Sequence, residues 1–368
     1  MSHATAKQAK QPFVRIARRG AITKRQAWLV RAGGLLAALT AGGLLILALG
    51  HNPFAVYADM LRSAFGDRTG FNQLVRIAVP LLGASLAVGI AFKMRFWNIG
   101  AEGQILAGGI AASYFALFHF QNMPRPVLLI VMALASIVAG AIWGFVPAFF
   151  RAKWGTNETL FTLMLNYVAF GIISYLKSGP WQCPQQGGFP IISMFDPVAR
   201  LPRAFDIHIG WIIVLVLTVL VHFYMRKSKQ GYQVSVVGQS ENTARYAGMN
   251  VGRIIIRTMI LSGAIGGLVG FMQVSGSHFT LNDTVTGGVG FTAITVAWLS
   301  QLNPLIMVIV SLFIATLTRG STRIQTSFGI PSTIASVFIG IILFFMLACE
   351  FFVNYRLVFP RKDGAARG

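Results

Sequence analysis

Polar side chains able to handle a hydroxylated solute are few in this sequence, and they interrupt long apolar runs. Asn98, Glu102 and Gln104 fall together at a break between two such runs, with Gly100 and Gly103 among them to allow close backbone approach. Asn157 and Glu158 open another run, and Asn166 follows two helical turns later near the same face. Gln273 lies deep in a further one. Amides and carboxylates offer donors and acceptors to sugar-like hydroxyls, so these residues are candidates for lining a path for polar cargo. Inside hydrocarbon even insertion scales charge ~2.5–3.5 kcal/mol for a central Asp, Lys or Arg, so such groups persist only where they pair or line a polar cavity. Each also has a structural alternative. Glu102 can cap a helix or pair with Lys93 or Arg95; Asn157-Glu158 reads as an N-cap with an acidic first turn. Asn166 and Gln273 can bond neighbouring helices.

Other chemistry is absent. No HExxH, no GxSxG and no paired intramembrane aspartates occur, which argues against a membrane enzyme. No Gly-Lys dipeptide occurs, so there is no Walker A loop and no cofactor is expected in this chain. His119, His208, His222 and His278 fall singly near helix ends and make no metal site. Trp97, Trp143, Trp211 and Trp298 read as interfacial anchors or packing residues. The glycines at 263, 266, 267 and 270 read as a close helix-packing surface. Cys183 and Cys349 are assigned to opposite faces of the membrane, which rules out their pairing.

The elements that must position these residues are membrane-crossing helices. Hydrophobic residues make up 55% of the 368 and charged residues 11%, too few to coat a water-facing surface. Uncharged stretches such as Pro126 to Phe150 and Thr258 to Asn282 reach the ~20 residues that a helix needs to cross ~30 Å of hydrocarbon. Apolar runs predict helices near 30–50, 74–92, 99–120, 126–150, 157–177, 208–225, 256–276, 288–301, 304–318 and 331–352. The fold class is therefore all-α, a polytopic membrane bundle of about ten transmembrane helices, some broken or re-entrant. Breaks are expected at Gly287, Gly288 and Gly290 and at Asn303-Pro304.

Charge gives the orientation. The net charge is +21, and most of the 31 Lys and Arg fall on one side: eight before Ala32, Lys93 and Arg95, Arg151 and Lys153, six from Arg226 to Arg257, and four after Val353. By the positive-inside rule both termini are cytoplasmic. No aromatic stacking pattern accompanies the charge, so nucleic acid is not an expected partner. The basic N-terminal stretch and long first apolar run read as a tail and anchor rather than a cleaved signal. The division expected is a basic tail over 1–29, a membrane domain over 30–353 and a cytoplasmic tail over 354–368. Within the domain, 178–207 is an external loop carrying Asp196 and Arg200 as a pair, and 226–257 is cytoplasmic. A short surface helix is expected between Gly238 and Asn250.

Four segments carry a resemblance. FWNIGAEGQILAGG from Phe96, TNETLFTLMLNYVA from Thr156, ARYAGMNVGRIIIRTMILSGAIGGLVG from Ala244 and GFTAITVAWLSQLNP from Gly290 occur in this order. Together they resemble the permease subunits of bacterial ATP-binding-cassette importers for nucleosides and ribose-type sugars, relatives of branched-chain amino-acid permeases. Trp97 and Ser300-Gln301 depart from the family's usual Phe and Gly-Arg, which bears on the cargo. The resemblance implies a bacterial inner-membrane subunit that is not itself an enzyme. Its partners would be a cytoplasmic ATPase that binds the ATP, a second permease (paralogue or identical copy), an external binding protein or lipoprotein, and membrane lipid. It further implies that the cytoplasmic helix docks into the ATPase, with Glu241, Arg245, Tyr246, Gly248 and Asn250 as contacts. The competing expectation is an ion-driven secondary transporter of small polar solutes. That class usually keeps charge in mid-helix, whereas here the carboxylates sit near helix ends.

Overall fold

The computed structural model describes residues 15–18, 23–121, 123–184, 187–331 and 333–358. Its helices are α1 (Lys24–Ala48), α2 (Pro53–Phe65), α3 (Arg68–Lys93), α4 (Ala101–Phe118), α5 (Arg125–Trp154), α6 (Glu158–Ser178), α7 (Gly210–Lys227), α8 (Lys229–Gln239), α9 (Glu241–Tyr246), α10 (Val251–Met272), α11 (Val289–Leu299), α12 (Pro304–Phe328) and α13 (Ile334–Asn354). Against the all-α expectation there are also two short antiparallel ribbons. β1 (Arg15–Arg18) pairs with β4 (Tyr355–Val358), and β2 (Arg203–Ala204) with β3 (Ile207–His208).

The chain forms two units, residues 1–57 with 333–368, and 58–332. In the first, α1 packs on α13, and the Tyr57 hydroxyl donates to the Leu39 carbonyl at 2.7 Å beside Gly42. The remaining parts of the expected tails, 1–14, 19–22 and 359–368, lie outside the described residues.

The second unit is built around α5 and α10, which touch backbone to backbone. A Cβ on Gly263 would overlap the Gly140 carbonyl oxygen, and one on Gly267 would overlap that of Ser136. Gly266 and Gly270 turn instead toward α4, against Gln104 and the Ile105 carbonyl. The Ser136 hydroxyl donates across to the Gly108 carbonyl at 2.8 Å, tying α4 to α5 at the same level. Without a hydrophobic drive between helices in lipid, such close dispersion contact and interhelical bonds are what hold a bundle together.

Among the described residues, α3, α5, α6, α7, α10 with its extension, and α12 are each long and apolar enough to span, and a seventh span results if Ala32–Ala48 and α2 count as one broken segment. This is fewer than the ten expected. α4 opens on Glu102 and Gln104, which lowers its apolarity, and the 11-residue α11 reaches only roughly 16 Å at 1.5 Å per residue. The break before α12 is where the sequence places it. Gln301 and Leu302 adopt φ of 53° and 58°, Asn303 caps the Leu305 N–H at 3.2 Å, and Pro304 begins the helix. α12 runs ten residues past the expected end, through Arg319 and Arg323.

Two connections also differ from expectation. The segment 226–257 holds two helices rather than one, because Ser240 ends α8 and caps the Thr243 N–H of α9 at 3.2 Å. Gly238 of α8 rests against the Lys93 carbonyl at the end of α3. In the connection 178–207 Asp196 and Arg200 do not pair. Asp196 caps the Val198 N–H at 3.0 Å, while Arg200 donates twice to the Phe195 carbonyl, at 2.9 and 2.8 Å. Phe195 and Leu201 bond the carbonyls of Phe279 and Ser275, which fastens this loop over the π-helical turn Gln273–His278 that extends α10.

His208, in β3, is buried against Gly276 of that turn. Burial, and then the Arg76 and Arg203 charges, push its pKa down to about 4. A histidine held neutral by folding makes the unfolded chain the stronger proton binder. Stability should be complete above pH 6.5 and fall as pH drops from there toward 4. Melting of the detergent-solubilised protein across that range should show the slope, and His208→Asn should flatten it. Gly267→Val should lower Tm and the folded yield, since overpacking costs about 1–3 kcal/mol. Gly340→Ala, where a Cβ meets open space, should not.

Candidate functional site: a buried polar junction of broken helices

α3 ends at Lys93, Arg95 takes φ 58°, and the chain turns back through 96–100 to start α4 within the bundle. This reversal carries Asn98, which is fully buried. Its Nδ2 donates to Gln104 Oε1 at 3.3 Å and Ser262 Oγ at 3.2 Å, and its Oδ1 accepts from the Gly100 N–H at 3.0 Å. Ser262 donates onward to the Ala87 carbonyl at 2.7 Å, so α3, the turn and α10 share one network.

Asn166 of α6 clamps the same turn from the other side. Its Oδ1 accepts from Gly103 N–H at 2.8 Å and its Nδ2 donates to Ile99 O at 2.9 Å. Thr162, one helical turn earlier, accepts from the Ile99 N–H at 3.2 Å. Trp143 closes the pocket around Gly103, where a Cβ would crowd both Asn166 and the indole.

Glu102 reaches α11. Its two oxygens accept from the N–H groups of Gly288 at 3.1 Å and Gly290 at 2.6 Å. A carboxylate at the positive end of a short helix satisfies amides that hydrocarbon would leave bare. The φ of 56° and 75° at Gly287 and Gly288 makes that approach, and a Cβ on Gly290 would collide with the Glu102 N–H. Glu102 pairs with neither Lys93 nor Arg95 among the described residues; it stands in the first turn of α4 but caps α11. Gln273 donates to the Val285 carbonyl at 3.1 Å and so holds the turns that lead into α11.

Five of the six pathway candidates, Asn98, Glu102, Gln104, Asn166 and Gln273, thus serve one buried junction of α3, α4, α6, α10 and α11. Their structural alternatives, a cap or an interhelical bond, describe the geometry seen. Glu158 is elsewhere. It sits 3.4 Å from Arg151 in the last turn of α5, and Arg151 also lies 3.7 Å from Glu241 of α9. Of the five docking candidates, Glu241 pairs with Arg245 at 3.5 Å, Tyr246 is 93% exposed, Gly248 ends α9 at φ 74°, and Asn250 caps α10 through the Arg253 N–H at 3.0 Å.

Two features were missed in the sequence. Trp97 and Trp298 stack at 5.6 Å beside Phe92, joining the turn after α3 to the end of α11. On α6 the face opposite Asn166 is exposed and mixed: Leu160, Met164 and Val168 beside Tyr167, at mid-helix, Gly171, Ser174 and Tyr175. Their spacing along one helical face was the available signal. A groove of about 790 Å³ between α3, α7 and α12 is lined almost entirely by groups such as Phe71, Val75, Leu82, Trp211 and Leu215, and its apolar wall suits hydrocarbon rather than a polar solute.

Residues 70–347 match the family described as the permease component of branched-chain amino acid transport systems. The chain belongs to that permease family. It is similar to a glucose ABC transporter permease of Haloferax volcanii, 33% identical over 90% of both chains. A guanosine ABC transporter permease of Bacillus subtilis is 28% identical over 90% of this chain and 96% of its own, and a nucleoside ABC transporter permease of Lactococcus lactis 29% over 86% and 89%. This permease is accordingly a multi-pass membrane transport component, and the matched span contains the whole buried junction.

Removing one partner from a buried pair costs about 1–3 kcal/mol. Asn166→Ala should therefore lower Tm and transport together. Asn166→Asp should be no better, because it sets an acceptor against the Ile99 carbonyl. Equal Tm and transport in Asn166→Asp and wild type would contradict the clamp.

Proposed function

We propose that this permease forms half of the translocation path of an ATP-driven importer for nucleosides or related simple sugars. The observation that carries the reading is similarity along nearly the full chain to permeases named for glucose, guanosine and nucleosides. Its partners are a cytoplasmic ATPase, an external binding protein or lipoprotein and a second permease, a paralogue or an identical copy.

The buried junction supports the need for a second permease. Its amides and carboxylate spend their hydrogen bonds on the protein itself, so the interior of one chain offers polar cargo no route. The exposed face of α6 suits that route better. Tyr and Ser side chains at Tyr167, Ser174 and Tyr175 are poor neighbours for acyl chains and good ones for sugar hydroxyls.

The topology is ten crossings in the bacterial inner membrane with both termini cytoplasmic. α4 and α13 add to the helices that span by length, and α11 completes one crossing together with the extended chain before it. The pairing of β1 with β4, which brings 15–18 beside 355–358, agrees with both ends on one side. The exposed Tyr246 and Arg245 of α9 are the docking surface for the ATPase.

In proteoliposomes holding both permeases and the ATPase, radiolabelled guanosine or glucose offered with the binding protein should enter only with ATP inside. Uptake by this chain alone under a proton or sodium gradient would sink the proposal. Ser174→Cys should be labelled by a membrane-impermeant thiol reagent more slowly when cargo is present; labelling indifferent to cargo would remove α6 from the path.

A further inference from the structure

Among the described residues, Arg151 is the one that joins α9 to α5 and α6 through charge. It stands in the last turn of α5, the helix locked against α10 and α4 by glycine contacts. Its guanidinium lies 3.4 Å from Glu158 at the first turn of α6 and 3.7 Å from Glu241 at the first turn of α9. It also donates to the Gly155 carbonyl at 3.3 Å, within the turn between α5 and α6. A planar guanidinium with five N–H donors can serve several acceptors at once, which a lysine ammonium on its flexible stem does less well.

What lies beyond each carboxylate gives the arrangement its meaning. Glu241 belongs to the short helix that also carries the exposed Arg245, its i+4 ion-pair partner, and the exposed Tyr246. Glu158 begins the helix that, two turns on, holds Ile99 and Gly103 through Asn166. Those residues flank Asn98 and Glu102, and Glu102 holds the start of α11. Each step is a direct contact between side chains and backbone of neighbouring helices and the turns that join them.

We propose that Arg151 is a positioning residue that transmits displacement of α9 to α6, and through Asn166 and Glu102 to the half-length helix α11. The proposal rests on α9 being the ATPase-docking element. Partly exposed ion pairs at 3.4 and 3.7 Å add little to stability, so the Arg151 contacts matter as a joint more than as a brace. When α9 moves, Glu241 carries the guanidinium with it, and Glu158 follows or is released.

Spatial continuity alone does not establish coupling, so the test is a mutant cycle. The intact complex of permease pair, ATPase and binding protein is reconstituted, and ATP hydrolysed per solute imported is measured for Arg151→Gln, Glu241→Gln, Glu158→Gln and the pairwise doubles, per complex assembled. Each single change should raise that ratio on the order of fivefold or more. Arg151→Gln/Glu241→Gln should be no worse than Arg151→Gln alone, and Arg151→Lys should recover part of the loss. A wild-type ratio in Arg151→Gln, or strictly additive doubles, overturns the relay. Glu241 is on the exposed helix, so Glu241→Gln keeps the test decisive if Arg151→Gln fails to accumulate. Alanine at Arg245 and Tyr246 separates the two readings: if these leave the ratio unchanged the docking assignment fails, and if they raise it while the Arg151 series does not, the relay alone fails.

Discussion

A polar group surrounded by hydrocarbon has nowhere to turn except the protein. Each unsatisfied N–H or C=O there costs several kcal/mol, and this condition shapes the interior of the permease. Two helices, α4 and α11, begin away from the ends of the long spans and expose backbone amides that a continuous helix would have bonded. The side chains of Asn98, Glu102 and Asn166 supply partners for those amides, at Gly100, Gly290 and Gly103.

Close packing follows from the same condition. With lipid on one side and protein on the other equally apolar, helices gain by approaching until backbones touch. Gly140, Gly144, Gly263 and Gly267 remove the side chains that would keep α5 from α10, and the result is a rigid frame. α4 is packed into that frame through Gly108 and Ile105, and α11 is held to it by the Glu102 hydrogen bonds and by the stack of Trp298 on Trp97.

Arg151 projects from the end of the rigid α5 toward the first turns of α6 and α9. Glu158, read from sequence as a lining residue, and Glu241, read as a docking residue, turn out to share this one cation. Separate expectations for the two carboxylates become a single arrangement once the chain is folded.

The sequence by itself determined the apolar runs, the breaks at Gly287-Gly288 and Asn303-Pro304, and the permease family through four ordered segments. These are local properties: a run of residues is apolar, or a Gly-rich turn breaks a helix, whatever lies elsewhere. Partner choice was decided only by the tertiary structure, because Glu102 meets Gly288 across 186 positions and Asn98 meets Ser262 across 164. A carboxylate in a membrane run announces that some partner exists. Which helix end it neutralises depends on how the glycine-packed frame brings distant turns to the same depth.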